Sequence, residues 1–96
     1  MKAVKRLELV LQQDAITDVV KALDVLGLSG YTLIRDVLGR GERGLRAGID
    51  LGVFQYHYLL VVCDEAQVAP VVETVRPYLT RFGGMCLVSD AQWVIR

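Results

Sequence analysis

Four glycines and three arginines fall within the eleven residues from Leu38 to Gly48, LGRGERGLRAG. Glycines let the backbone reach positive φ and turn successive N–H groups inward as an anion-binding nest. Arg40, Arg43 and Arg46 carry planar forks that match phosphate or carboxylate oxygens. A helical turn would put Arg43 and Arg46, three apart, on one face. The same composition also suits a solvated loop tip, and residue types alone leave these two readings even. Other chemistry is sparse. His57 is the only histidine. In a strand it shares its side with Gln55, Leu59, Val61 and Cys63, so a packed or surface strand residue is the stronger reading than a catalytic or ligand role. No second ligand stands at useful spacing, which argues against zinc. The carboxylates are scattered, with no acid–base pair in a pocket-like segment. Cys63 and Cys86 lie in separate apolar segments and read as free, buried thiols. Phe54, Tyr56 and Tyr58 recur at period two and resemble a base-stacking platform. They lack a basic surround, so sheet packing or a subunit interface is the better account.

These residues need elements to hold them. VKRLELVL, residues 4 to 11, places Leu7, Leu9 and Leu11 on one face with Arg6 and Glu8 opposite, a half-buried strand. Asp14 then suits a helix N-cap, with Ile16, Val19, Val20, Leu23 and Leu26 at helical spacing and Gly27 as the stop. YTLIRDVL from Tyr31 and VFQYHYLLVVC from Val53 to Cys63 read as strands that pair as a hairpin, with the glycine–arginine segment at its tip. After Asp64, the residues Val68, Val71, Val72, Val75 and Leu79 mark a second amphipathic helix. Pro70 and Pro77 require either a kink in it or a proline in a terminal turn. FGGMCLV supplies a Gly83-Gly84 turn into a fourth strand, and QWVIR reads as a short closing strand. The order is βαββαβ, an α+β ferredoxin-like sandwich with an antiparallel sheet and both helices on one face.

At 96 residues the chain is a single domain, 1–96, with 53% hydrophobic and 23% charged residues. So apolar a small domain argues against disorder, and some of its apolar surface suits another subunit. Eleven basic and eleven acidic side chains cancel, so no global field attracts nucleic acid or an anionic membrane. Any anion site must be local. No apolar run approaches the roughly 20 residues needed to span a bilayer. The N-terminus lacks the pattern of a signal peptide, and a cytoplasmic location is expected.

From Gly27 to Gly48, GLSGYTLIRDVLGRGERGLRAG, the chain resembles the PII signal-transduction superfamily. In particular it resembles the PII-like group encoded near carboxysomes and bicarbonate transporters. SGYT, Ser29 to Thr32, stands at the start of the second strand. GRGERGLR, Gly39 to Arg46, looks like the glycine, basic, glycine, then arginine-x-x-arginine run of the bicarbonate-transporter regulators. DAQWVIR resembles the closing strand that ends in arginine. The similarity spans essentially the whole chain.

That resemblance implies a homotrimer with adenine-nucleotide sites in the clefts between subunits. It also implies a mobile T-loop at about 39–53 that changes order on binding. It points to Gly39, Gly41, Arg43 and Arg46 at the loop base, and to Gly83 and Gly84 at the turn before the fourth strand. Tyr31 and Thr32 would approach the base or ribose, and Arg96 a phosphate. PII proteins proper carry a lysine shortly after the glycine turn to hold a terminal phosphate, whereas Met85 follows Gly84 here. ADP or AMP is therefore expected rather than ATP, with bicarbonate as a candidate second anion. With no tyrosine between Tyr31 and Tyr56, neither uridylylation nor the 2-oxoglutarate and magnesium readout is expected. The implied role is a non-enzymatic sensor that regulates a bicarbonate transporter or carboxysome-associated partner. The competing readings are a structural oligomerisation module without nucleotide and, more weakly, a small ferredoxin-like hydrolase or isomerase using His57.

Overall fold

The computed structural model describes residues 1–28, 30–38 and 55–95. Six elements follow in order: β1 (Lys2–Gln12), α1 (Gln13–Val25), β2 (Tyr31–Val37), β3 (Tyr56–Cys63), α2 (Glu65–Phe82) and β4 (Gly84–Trp93). They form one four-stranded sheet ordered β2-β3-β1-β4, and each neighbouring pair is antiparallel. The ferredoxin-like order expected from the sequence is the one found.

Alternation in β1 explains the core. Leu7, Leu9 and Leu11 are fully buried, as are Leu59 and Val61 beside them. Ala15, Ile16, Val19 and Leu23 of α1 and Val71 and Val75 of α2 close over the same face. Each large apolar side chain so buried contributes about 1.5–3 kcal/mol, which is why both helices settle on one side and leave the other face of the sheet uncovered.

Two element ends differ from expectation, the start of α1 and the extent of β4, and the prolines and cysteines add detail. Helix α1 begins one residue after β1, with Gln12 as its N-cap, because the Gln13 N–H is already taken by the Gln55 carbonyl at 2.8 Å. Asp14 therefore sits in the first turn, where its carboxylate complements the helix dipole. Gly27, at φ 77°, ends the helix as read from the sequence. Helix α2 runs unbroken through both Pro70 and Pro77, neither of them in a terminal turn, so the carbonyls of Ala66 and Glu73 lose their usual donors. The Thr74 hydroxyl donates to the Pro70 carbonyl at 2.8 Å in the exposed turn between the prolines. The two closing strands are a single β4, paired with β1 from Lys2↔Trp93 to Leu11↔Gly84. The eleven-residue β1 offers an unbroken ladder, and the Lys5–Asp90 ion pair and the Arg6–Ser89 hydrogen bond hold its middle. Finally, Cys63 is buried but Cys86, on an edge strand, is only partly so.

Candidate functional site

Register places the glycine turn and the exit of β2 at one end of the sheet. Leu11 pairs with Gly84 on one side and with His57 on the other. His57 in turn faces the last residues of β2, where the pairing shifts between Ile34 and Val37. The glycine turn and the exit of β2 thus share a row, but on opposite edges. Three strand gaps of about 4.8 Å separate them by roughly 14 Å within one chain.

The glycine turn is shaped by sterics. Gly83 and Gly84 have φ of 81° and 113°, values that favour glycine. The Gly83 N–H caps α2 through the Leu79 carbonyl at 2.8 Å. Gly84 packs so closely on β1 that a Cβ there would lie 2.1 Å from the Val10 carbonyl oxygen. Beyond it, Met85 is partly exposed and uncharged.

Tyr31 and Thr32 occupy the other end of β2, opposite Val61 and Leu60. Both are exposed. Six residues of strand, about 20 Å, separate Tyr31 from Val37, so the fold does not bring this pair to its own chain's glycine turn. Alternation also sends the two side chains to opposite faces: Thr32 shares the uncovered face, and Tyr31 the helix face. The remaining expected site residues, Gly39, Gly41, Arg43, Arg46 and Arg96, lie outside the described residues, as does the expected loop 39–53.

Two cross-strand rows define the uncovered face. One is Ile34–Tyr58–Val10–Met85 and the other Thr32–Leu60–Glu8–Leu87. Ile34 and Leu87 are 52% and 54% exposed, an apolar presence that an isolated sheet face does not need. Within it the Tyr58 hydroxyl donates to Glu8 Oε1 at 2.7 Å. That hydrogen bond, with some burial, raises the phenol above its ordinary range. Tyr56 and Tyr58 are thus half-buried sheet residues, and Tyr58 is matched to a carboxylate.

His57 is the packed strand residue that the sequence favoured; its hydrogen bond to the end of β2 is what the sequence did not single out. The residue is 2% exposed, and its Nδ1 accepts the Asp36 backbone N–H at 3.0 Å. So buried a ring is a packed strand residue. Its signal in the sequence was its place beside Leu59, Val61 and Cys63 on one side of a strand. A cleft of about 510 Å³ lined by Lys5, Glu65 and Asp90 opens at the far end of β1. There Lys5 is engaged by Asp90, whose hydrogen bond raises the ammonium above its usual range. Among the described residues no cluster of histidine, cysteine or carboxylate side chains could hold a metal ion, and no helix is long and apolar enough to cross a membrane.

Comparison with known proteins agrees with this architecture. The structure of CPII, a PII-like protein from Thiomonas intermedia K12, bound to ADP, AMP and bicarbonate, superposes with a TM-score of 0.80 at 24% identity, over 95% of this chain and 94% of that one. The same protein bound to ADP and bicarbonate gives 0.81 at 26% identity, over 95% and 88% of the two chains. A PII-like signalling protein of Thermus thermophilus gives 0.74 at 18% identity, over 97% and 90%. No curated protein matches. The family model described as nitrogen regulatory protein P-II matches residues 4–96. With its βαββαβ order, its glycine turn and a match over nearly its whole length, this chain belongs to the nitrogen regulatory protein P-II family.

Proposed function

We propose that this chain is a regulatory sensor that binds ADP or AMP between the subunits of a homotrimer, with bicarbonate as a second anion. Similarity to CPII, whose structures hold ADP, AMP and bicarbonate, carries the ligand class. The shared sheet end of the glycine turn and the β2 exit supports it. These two features lie on opposite exposed edges, so a neighbouring copy can bring its own edge against either. Tyr31 and Thr32, remote from their own chain's glycine turn, suit contact with a nucleotide held chiefly by another subunit. Gly39, Gly41, Arg43 and Arg46 on the segment 39–53, with Gly83, Gly84 and Arg96, complete the proposed site. The neutral Met85 after the turn favours a mono- or diphosphate over a triphosphate. Binding at this segment would signal to a bicarbonate transporter or carboxysome-associated protein in the cytoplasm.

Titration calorimetry with AMP, ADP, ATP and bicarbonate tests the reading. ADP or AMP is expected to bind more tightly than ATP, and no adenine-nucleotide binding at about 1 mM overturns it. Arg43→Ala with Arg46→Ala is expected to weaken ADP binding about tenfold or more while leaving the oligomer intact. The apolar uncovered face also favours a second reading, an assembly module without nucleotide. Loop proteolysis with and without ADP separates the two: protection by ADP supports the sensor, and an unchanged pattern supports the module.

A further inference from the structure

Strands β2 and β3 fall out of step at one place. Ile34 pairs with Tyr58 and Val37 with Tyr56, so Arg35 and Asp36 stand together opposite the single residue His57. Such a two-against-one bulge leaves a backbone group outside the ladder. Asp36 adopts φ 57° there, the left-handed region, and is the one described non-glycine residue to do so. Its N–H turns to the side chain across the strand, donating to His57 Nδ1 at 3.0 Å.

An imidazole nitrogen that accepts a hydrogen bond carries no proton, so the ring is the neutral tautomer protonated at Nε2. Nε2 is itself buried and has no partner among the described residues. A buried donor left unmatched is unfavourable, and leucine would fill this position beside Leu11 and Leu59 without it. What the imidazole supplies that leucine cannot is the acceptor at Nδ1. It acts on the residue before the end of β2, where the chain departs toward segment 39–53.

We propose that His57 is a positioning residue for the end of β2, from which the proposed nucleotide-binding segment departs: its neutral ring holds Asp36 in the left-handed bulge and so sets the direction in which the chain leaves the sheet at Val37. The functional half of this proposal rests on the reading of segment 39–53 given above; the structural half does not.

The test uses the full chain in its native assembly, with His57→Leu, His57→Asn and His57→Gln. Asparagine can place an oxygen near the Nδ1 position, whereas the longer glutamine puts its amide near Nε2. Nitrogen NMR of the wild-type imidazole at about pH 8, where an ordinary histidine is neutral, is expected to show a bare Nδ1 and a protonated Nε2. The opposite tautomer overturns the proposal. Hydrogen exchange of the Asp36 amide is expected to quicken about fivefold or more in His57→Leu and His57→Gln and to recover in His57→Asn. Equal protection in all four proteins overturns it as well. ADP affinity is expected to follow the same order, falling about fivefold in His57→Leu and returning to within about twofold in His57→Asn. Lost Asp36 protection with unchanged ADP affinity overturns the positioning role. If the wild type binds no adenine nucleotide, the sensor reading fails, while the tautomer and exchange measurements still decide whether His57 holds the bulge. If the leucine variant does not fold, the wild-type spectrum and the asparagine–glutamine contrast decide.

Discussion

Gly84 and the Val10 carbonyl are in such close approach that no Cβ fits between them: one built on Gly84 would lie 2.1 Å from the oxygen. The neighbour is backbone of a central strand and cannot swing aside. Gly84→Ala adds this clash to the penalty of φ 113° and is expected to destabilise the fold by roughly 2–3 kcal/mol. Gly27 makes the control. It also has a positive φ, but a Cβ there meets nothing within 4 Å, so Gly27→Ala should cost only about 1 kcal/mol. Urea denaturation of both variants checks the difference, and equal losses would contradict the steric account.

The uncovered sheet face should be where copies meet. Ile34 and Leu87 each leave about half their surface exposed in a single chain (52% and 54%), so replacing either by aspartate disturbs little within one copy. Burying a carboxylate between copies is costly without a partner. Ile34→Asp and Leu87→Asp are therefore expected to give folded monomers. Light scattering with circular dichroism reads both properties, and an intact oligomer in both variants would place the contact elsewhere.

The bond from Tyr58 to Glu8 raises the phenol above its ordinary range, which sets the sign of a pH effect. The folded chain holds the phenolic proton more tightly than the unfolded one. Stability from this pair is therefore fully present below the ordinary tyrosine value, about 10, and is lost as pH rises through the higher folded value. Tyr58→Phe should lower stability by about 1 kcal/mol or less at neutral pH. The gap between wild type and variant should narrow in strongly alkaline solution. A gap that widens with pH would reverse the assignment.

Burial pushes both thiols up, Cys63 with help from the adjacent Asp64 and Cys86 by burial alone. Since only the thiolate is nucleophilic, alkylation at neutral pH should be at least about tenfold slower in the folded protein than in denaturant. Cys86, less covered than Cys63, should react first. Mass spectrometry of timed iodoacetamide labelling gives the order, and rapid labelling of Cys63 in the native state would contradict its packing.

Much of this protein was legible before any coordinates. Leu7, Leu9 and Leu11 announce a strand with one wet face, and Val68, Val71, Val75 and Leu79 a helix with one dry stripe, because period alone says which side chains can be buried together. Gly27 and Gly83-Gly84 mark turns because few other residues accept their φ. Local pattern could not say that Asp14 would yield the cap to Gln12, since the carbonyl that satisfies the Gln13 N–H belongs to Gln55, far along the chain and just before β3. Nor could it join two short apolar runs into one β4, which depends on the length of β1 beside it.

The site divides along the same line. Residue chemistry nominated the arginines and glycines on its own, because forks and nests are properties of side chains and local φ. Only the tertiary structure aligned Gly84, Leu11 and His57 in one row, set Tyr31 and Thr32 at the far end of the sheet from the glycine turn, and set Arg35 and Asp36 against a single histidine. Register between strands is set by which buried side chains pack together over the whole sheet. A histidine that reads in sequence as a filler of the core therefore becomes, once paired, the acceptor that holds a bulge.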